Sequence, residues 1–154
     1  FENCWIAAQS RLPSSLRFFR PASRHGEIAA ASESSLGMCG LLGRKDHAAS
    51  ALSHGEQRQL EIAMMLATEP ELLLFDEPLA GMGYREAQDV IALLRRIAER
   101  RTIVLIEHDM DAVFSIADRI TVLVNGGVLE TGAVAAIQRS SAVQAAYLGA
   151  EEEP

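Results

Sequence analysis

Two acidic residues follow a short apolar run and could bind a cation and activate water. The run covers residues 72–75 and leads into Asp76-Glu77-Pro78. Open α/β sheets place ligands outside the carboxyl ends of their strands, and adjacent carboxylates there repel unless a cation or a shared proton is present. Asp76 could hold Mg²⁺ directly or through water, and Glu77 could orient or deprotonate an attacking water. The alternative is a strand-to-loop turn capped by acidic residues.

A second group could bind an anion at the start of a helix. It consists of Leu52, Ser53, His54, Gly55, Glu56 and Gln57. Free backbone N–H groups and the positive end of the helix dipole favour an anion at such a place. Gly55 would permit close approach of the backbone, and the Ser53 hydroxyl adds a donor. Ser53 and Glu56 also fit a capping box, and a capped helix is compatible with a phosphate site.

His108 follows a third pattern, the β-branched run at residues 102–106. It therefore also belongs at the carboxyl edge of the sheet, where it could donate a hydrogen bond to a γ-phosphate or to the water-positioning carboxylate. A metal site built from Glu107, His108, Asp109 and Asp111 is disfavoured, because consecutive residues seldom converge on one ion and no second histidine lies at i+4. A structural histidine bonded to backbone stays open.

The elements that must position these residues alternate between helices and short strands. An unbroken apolar run such as 72–75 is typical of a strand buried on both faces, and 72–106 predicts a βαβ crossover with parallel strands. The class is therefore α/β. The predicted helices cover 27–42, 57–69 with Ser53 as N-cap, 85–101, 110–117 and, in two pieces, 133–148; further strands cover 120–124 and, after the hairpin signal Asn125-Gly126-Gly127, 128–130.

Composition excludes several classes of function. The chain has 154 residues, 49% hydrophobic and 23% charged, which fits one globular domain. A net charge of −7 argues against nucleic acid as a partner, so the arginines at 11–24 and 95–101 predict solvated faces or a protein-contact surface. Cys4 and Cys39 lack metal or disulfide spacing, which fits a reducing compartment. No apolar run approaches the roughly 18 residues needed to span a bilayer.

The N-terminal part gives a weaker signal. Prolines and a glycine interrupt residues 1–50, which predicts short helices and loops. The chain begins with Phe1 rather than Met. We therefore expect it to be a piece of a longer product.

Four motifs follow one another in the chain: LSHGEQ, LLLFDEP, LAGM and IEHDMD. In this order they resemble the signature, Walker B, D-loop and H-loop motifs in the C-terminal part of an ATP-binding-cassette (ABC) ATPase. The sequence of residues 52–132 is similar to that of the branched-chain amino acid importer subfamily. The first residues, FENCWIAAQSR, resemble the segment after that family's Q-loop. The resemblance implies part of a P-loop NTPase fold, with a parallel sheet core and a helical subdomain on the N-terminal side. The implied divisions are 1–51, 52–132 and 133–154.

The resemblance also implies roles for individual residues. Residues 52–57 would bind the ATP of a partner subunit, Asp76 would serve Mg²⁺, Glu77 would be the catalytic base, residues 79–82 would communicate across the dimer and His108 would be the switch histidine. The implied partners are a second ATPase subunit and membrane permease subunits, through which the protein would be cytoplasmic and peripheral to the membrane, without inserting into it. His54 and Glu56 depart from LSGGQ and mark the subfamily.

Two features of the family, the phosphate loop and the Q-loop glutamine, are missing from these residues. The phosphate loop G-x-x-x-x-G-K-[ST] has no match, since Gly43 leads into Arg44-Lys45-Asp46 without a preceding strand, and Gln9 lies after the position of the Q-loop glutamine. Because phosphoryl transfer depends on positioning and charge neutralisation, this chain alone should not hold ATP tightly.

Two functions follow from the sequence. The first is the C-terminal portion of an ATPase that powers import of branched-chain amino acids or related amides. The second is a non-catalytic remnant or interaction module that dimerises or docks to a permease. A chromosome-maintenance ATPase head would require long heptad segments before the signature, and the first 51 residues contain none.

Overall fold

Residues 1–11 and 26–149 are described by the computed structural model. The chain divides into two units, Phe1–Ile106 and Glu107–Pro154. The predicted acidic tail at 151–153 and three arginines of the first basic cluster lie outside the described residues.

Three helices pack against one another in the first unit. They are α1 at Glu2–Gln9, α2 at Gly26–Met38 and α3 at His54–Ala67. Two short 3-10 helices, Leu42–Arg44 and Ala49–Ala51, connect α2 to α3. The interior of this bundle is apolar and includes Cys4, Ala8, Ile28, Leu36, Ile62 and Ala63. For residues 1–11 and 26–50, the expectation of short helices and loops is confirmed.

Helix α2 ends four residues before the predicted boundary. Gly40 lies in the left-handed region with φ 76°, and the Leu41 N–H donates to the Leu36 carbonyl at 2.8 Å. This arrangement is a Schellman cap, which glycine favours because it has no Cβ. Gly40 therefore stops a helix that the apolar pattern would have continued.

A strand, a helix and a second strand complete the first unit: β1 at Leu72–Asp76, α4 at Tyr84–Ala98 and β2 at Thr102–Ile106. The strands are parallel and in register from Leu72 opposite Thr102 to Asp76 opposite Ile106. The predicted βαβ crossover and the α/β class are confirmed. Helix α4 buries the stripe Val90, Ile91, Leu93, Leu94 and Ile97.

The expectation that β1 is buried on both faces is wrong. Leu73 and Phe75 are 3% and 5% exposed, whereas Leu74 is 66% exposed. Successive strand residues point to opposite faces, and within the described residues only one face of this two-stranded sheet is covered. Val104 and Ile106 on β2 are exposed as well. The apolar run is therefore suited to a sheet covered on both faces, but one face of β1 is exposed to solvent here.

The second unit contains α5 at Met110–Ile116, β3 at Arg119–Val124, β4 at Gly127–Ala133, α6 at Val134–Arg139 and α7 at Ser141–Gly149. Strands β3 and β4 form an antiparallel sheet of their own. Asn125 and Gly126 adopt positive φ in the turn, as a two-residue hairpin requires, so the predicted hairpin is confirmed. Its core is Ile120, Ile137 and Val143. Across the described residues, none of the helices has the length and apolarity to cross a membrane.

Candidate functional site

Asp76 and Glu77 lie at the carboxyl end of β1. Asp76 is the last residue of the strand, stands opposite Ile106 at the end of β2, and is exposed. Glu77 is also exposed, and its N–H donates to the Ile106 carbonyl at 2.9 Å. Its φ of 45° is in the left-handed region, which costs on the order of 1–3 kcal/mol for a residue other than glycine. The surrounding contacts must hold this conformation.

Arg58 of α3 provides part of that hold. Its Nε donates to the Pro78 carbonyl at 3.1 Å and its Nη2 to the Glu77 carbonyl at 3.4 Å. Its Nη1 donates to Glu61 Oε2 at 2.7 Å. Ala80 N–H also donates to the Glu77 carbonyl, at 3.1 Å. The turn that carries the acidic pair is therefore tied to the helix that begins at the predicted anion-binding residues.

A capping box closes the start of α3. Ser53 Oγ accepts from the Glu56 N–H at 3.2 Å, and Glu56 Oε2 accepts from the Ser53 N–H at 2.9 Å. The bond from the Ser53 amide lowers the pKa of the Glu56 carboxyl, and Arg44 at 3.1 Å adds to this effect. The predicted box is confirmed. Leu52 before it is buried, and Gln57 Nε2 donates to the backbone carbonyls of Ala49 and Leu52.

Gly55, next to the cap, contacts a carboxylate from another helix. Its N–H donates to Glu86 Oε1 at 3.1 Å, and the second oxygen of Glu86 accepts from the Gly83 N–H at 3.3 Å. A Cβ on Gly55 would meet Glu86 Oε1 at 2.9 Å. His54 lies beside Gly81, whose ideal Cβ would be 3.8 Å from His54 Cε1. The start of α3 is thus packed against the loop that follows the acidic pair.

His108 belongs to the second unit. Its side chain is 78% exposed, its N–H donates to Glu107 Oε2 at 3.3 Å, and its Nδ1 is 4.0 Å from the same oxygen. The next residue, Asp109, caps α5 by accepting from the Ala112 N–H at 3.1 Å. Residues 52–57, Asp76 and Glu77 all belong to the first unit.

The residues at the strand end suit a phosphate-bound magnesium ion. In the described ranges, no group of three or more His, Cys, Asp or Glu side chains could hold a metal by itself. Mg²⁺ bound to phosphates commonly takes only one or two protein carboxylates and keeps several waters. The single exposed carboxylate of Asp76 is the kind of protein ligand that such an ion takes.

Sequence patterns did not identify Arg58 and Glu86 as parts of this region. Arg58 contacts carbonyls 19 and 20 residues away, and Glu86 accepts from an amide 31 residues away. A lone arginine inside a helix carries no signal for such contacts. Glu86 could have been noticed as the third residue of α4, where a glutamate is typical of a capping box.

Comparisons with known proteins identify the class. The ABC transporter family profile matches residues 4–80. The high-affinity branched-chain amino acid transport ATP-binding protein LivG of Salmonella typhimurium is 37% identical over 96% of this chain and 61% of its own length. LivG of Escherichia coli K12 is 42% identical over 71% of this chain and 44% of its own length. The chain therefore belongs to the ABC transporter ATPase family.

A solved structure gives the same fold. An ATP-binding cassette of an ABC transporter in its ADP conformation superposes with a TM-score of 0.75 at 24% identity, over 96% of this chain and 62% of that one. The resemblance to the branched-chain importer subfamily and the α/β fold are both confirmed. The chain spans about three fifths of the length of the Salmonella relative.

Proposed function

We propose that this chain supplies the signature and Walker B portion of an ATP-hydrolysing subunit that drives import of branched-chain amino acids or related amides. The observation that carries the proposal is the acidic pair at the carboxyl end of β1, with Glu77 held in a left-handed conformation by Ile106 and Arg58. Strain of this kind concentrates at functional sites. The importer class is supported by LivG, which is named as a branched-chain amino acid transport ATP-binding protein.

Glu77 acts in this proposal as the general base. Its carboxylate is exposed at the sheet edge, where it accepts a proton from water that attacks the γ-phosphate. Asp76 would hold Mg²⁺, and that ion would neutralise phosphate charge when bound. His108, the proposed switch histidine, would donate a hydrogen bond to the γ-phosphate, which requires its exposed ring to reach the nucleotide.

Residues 52–57 serve a second nucleotide in this proposal. In this proposal the start of α3 faces the phosphates of ATP held by a partner ATPase subunit, which requires Glu86 to release the Gly55 N–H. Two such subunits, alike or different, sandwich two ATP molecules and dock to membrane permease subunits. The protein then works at the cytoplasmic face of the membrane through the permease.

The proposed activity requires a phosphate loop, and these 154 residues contain no match to that motif. The experiment is to join the chain to the stretch of Salmonella LivG that the match leaves uncovered, and to compare its ATP hydrolysis with that of the isolated chain. We expect turnover from the fusion and none from the isolated chain. Magnesium-dependent ATP hydrolysis by the isolated chain would contradict the proposal that a phosphate loop absent from these residues is needed for turnover.

A non-catalytic interaction module is the second candidate. It is favoured by Glu86, which already accepts the Gly55 N–H that the first candidate assigns to a phosphate. The same fusion discriminates between the two: a folded fusion that dimerises or binds permease but does not hydrolyse ATP supports the module. Titration of the isolated chain with ATP adds a check, since micromolar binding would contradict both candidates.

A further inference from the structure

Arg58 physically links the two motifs that the proposed function assigns to different nucleotides. It lies in α3 directly after the signature residues 52–57, whose last four form the first turn of the helix. Its guanidinium contacts the carbonyls of Glu77 and Pro78 in the turn after β1. Its side chain is 30% exposed, so most of its surface is shielded from water.

The chemistry of the group suits this task. A guanidinium presents several N–H donors in a rigid planar fork, whereas a lysine ammonium is a point charge on a flexible stem. Here one edge of the fork meets two successive backbone carbonyls, and another donor is fixed by Glu61 one turn further along α3. Hydrogen bonds from a charged donor are stronger than neutral ones. The fork therefore restrains both the position and the direction of the peptide groups on either side of Pro78.

The carbonyl contacts bear directly on Glu77. Its φ of 45° is unfavourable for a residue with a Cβ, and the Glu77 carbonyl accepts from both Arg58 and the Ala80 N–H. Removing the arginine leaves this backbone with fewer restraints. The carboxylate at the end of the Glu77 side chain would then sample a wider range of positions.

We propose that Arg58 is a positioning residue that sets the place of the Glu77 carboxylate and couples it to the start of α3. Because a helix moves as a rigid element, a shift of residues 53–57 toward a phosphate displaces Arg58 and with it the Glu77-Pro78 backbone. The inference rests on the proposed function, since it assigns the signature to one nucleotide and Glu77 to another. Arg58 touches neither nucleotide in this scheme.

The first test uses the chain itself and needs no nucleotide. Amide hydrogen exchange of Ala80, bonded to the Glu77 carbonyl at 3.1 Å, is compared among the parent, Arg58→Gln and Arg58→Lys. We expect exchange to rise by about fivefold or more in Arg58→Gln, because local opening becomes easier. Arg96→Gln is the matched control, since Arg96 also donates to a backbone carbonyl, that of Met38 at 3.3 Å. Equal Ala80 exchange in all variants would overturn the proposal.

The second test measures turnover in the fusion described above, at a temperature where circular dichroism shows each variant folded. We expect Arg58→Gln to lower kcat about 10- to 100-fold, the scale of misplacing a catalytic group by about 1 Å, with KM for ATP nearly unchanged. Arg58→Lys should recover part of kcat, and Arg96→Gln should match the parent. A purely structural role for Arg58 would instead lower the melting temperature and leave kcat per folded molecule unchanged.

The outcomes separate this inference from the proposed function. If Glu77→Gln abolishes turnover while Arg58→Gln and Arg58→Lys keep the parent kcat, the coupling is wrong and the ATPase assignment stands. If Glu77→Gln keeps the parent kcat, the ATPase assignment fails first. Should Arg58→Gln not fold, Arg58→Lys, which keeps the charge and most of the side chain, decides: a normal kcat and normal Ala80 exchange would refute the proposal.

Discussion

Gly55 has little room for any side chain. An added Cβ would approach Glu86 Oε1, Cγ and Cδ at 2.9, 3.0 and 3.1 Å. The carboxylate would have to move, and its bonds to the amides of Gly55 and Gly83 would be lost. The packing of Glu86 against residue 55 therefore requires a glycine there, independently of any ligand.

A matched pair of glycine substitutions tests this point. We expect Gly55→Ala to lower the free energy of unfolding by about 1–3 kcal/mol, the usual cost of overpacking. Gly37→Ala in α2 has open space around its Cβ and should raise stability by roughly 0.5–1 kcal/mol. Urea unfolding of both variants measures the difference. Equal effects would mean that the Glu86 contact places no constraint on residue 55.

Because of Cys39, we expect the free energy of unfolding to depend on pH in the alkaline range. Burial, with a smaller contribution from the nearby Cys4, raises the pKa of the Cys39 thiol from 9.0 to about 12. The folded state therefore keeps a proton that the unfolded state loses above about pH 9. Stability is full below that pH and falls as the pH rises toward 12.

The measurement is the unfolding free energy between about pH 8 and pH 11, for the parent and for Cys39→Ala. We expect a steeper decline in the parent, since only the parent has this buried thiol to ionise on unfolding. Parallel curves would show that Cys39 ionises as easily in the folded chain as in the unfolded one.

At the scale of elements, strand β1 presents two unlike faces. Leu73 is 3% exposed and Leu74 is 66% exposed, although both are leucines in the same strand. The covered face holds the strand in the unit, and the other face would be sheltered only by further elements.

Alanine at these two leucines separates the faces. Leu73→Ala should cost about 2–5 kcal/mol, as for other buried leucines, and Leu74→Ala should stay within about 0.5 kcal/mol. Both are measured by chemical unfolding of the isolated chain. In the fusion with the uncovered LivG stretch, we expect the cost of Leu74→Ala to rise. An equal cost in both backgrounds would mean that the added stretch leaves this face open.

Much of the element pattern could be predicted from sequence. Periodicity and β-branched runs predicted β2 at its observed bounds and the strand, helix and strand around the acidic pair. The end of α2 was missed because Gly40 adopts a left-handed conformation. The exposed face of β1 was missed because an apolar run shows that a strand can be buried on both faces, but does not show whether other elements cover it. The partners of Arg58 and Glu86 depend on tertiary packing across 19 to 31 residues, which local patterns do not encode.

At the scale of the molecule, the proposed function gives the chain parts of two sites. The start of α3 and the acidic pair lie in one unit, connected by Arg58, while the motif that would hold phosphates is not among the 154 residues. The family and its motif order were recognisable from sequence because these motifs consist of contiguous residues. In the proposed function the start of α3 and the acidic pair act on two different nucleotides, which requires a second subunit.

The most direct test of this account is ATP hydrolysis by the fusion with Glu77→Gln, beside Glu99→Gln as a control. Glu99 is an exposed carboxylate at the end of α4 in the same unit, so its substitution removes the same charge away from the site. If Glu77 is the base, Glu77→Gln should lower kcat about 100-fold or more, the usual contribution of general base catalysis, and Glu99→Gln should leave it unchanged. Turnover within a few-fold of the parent in Glu77→Gln would contradict the assignment.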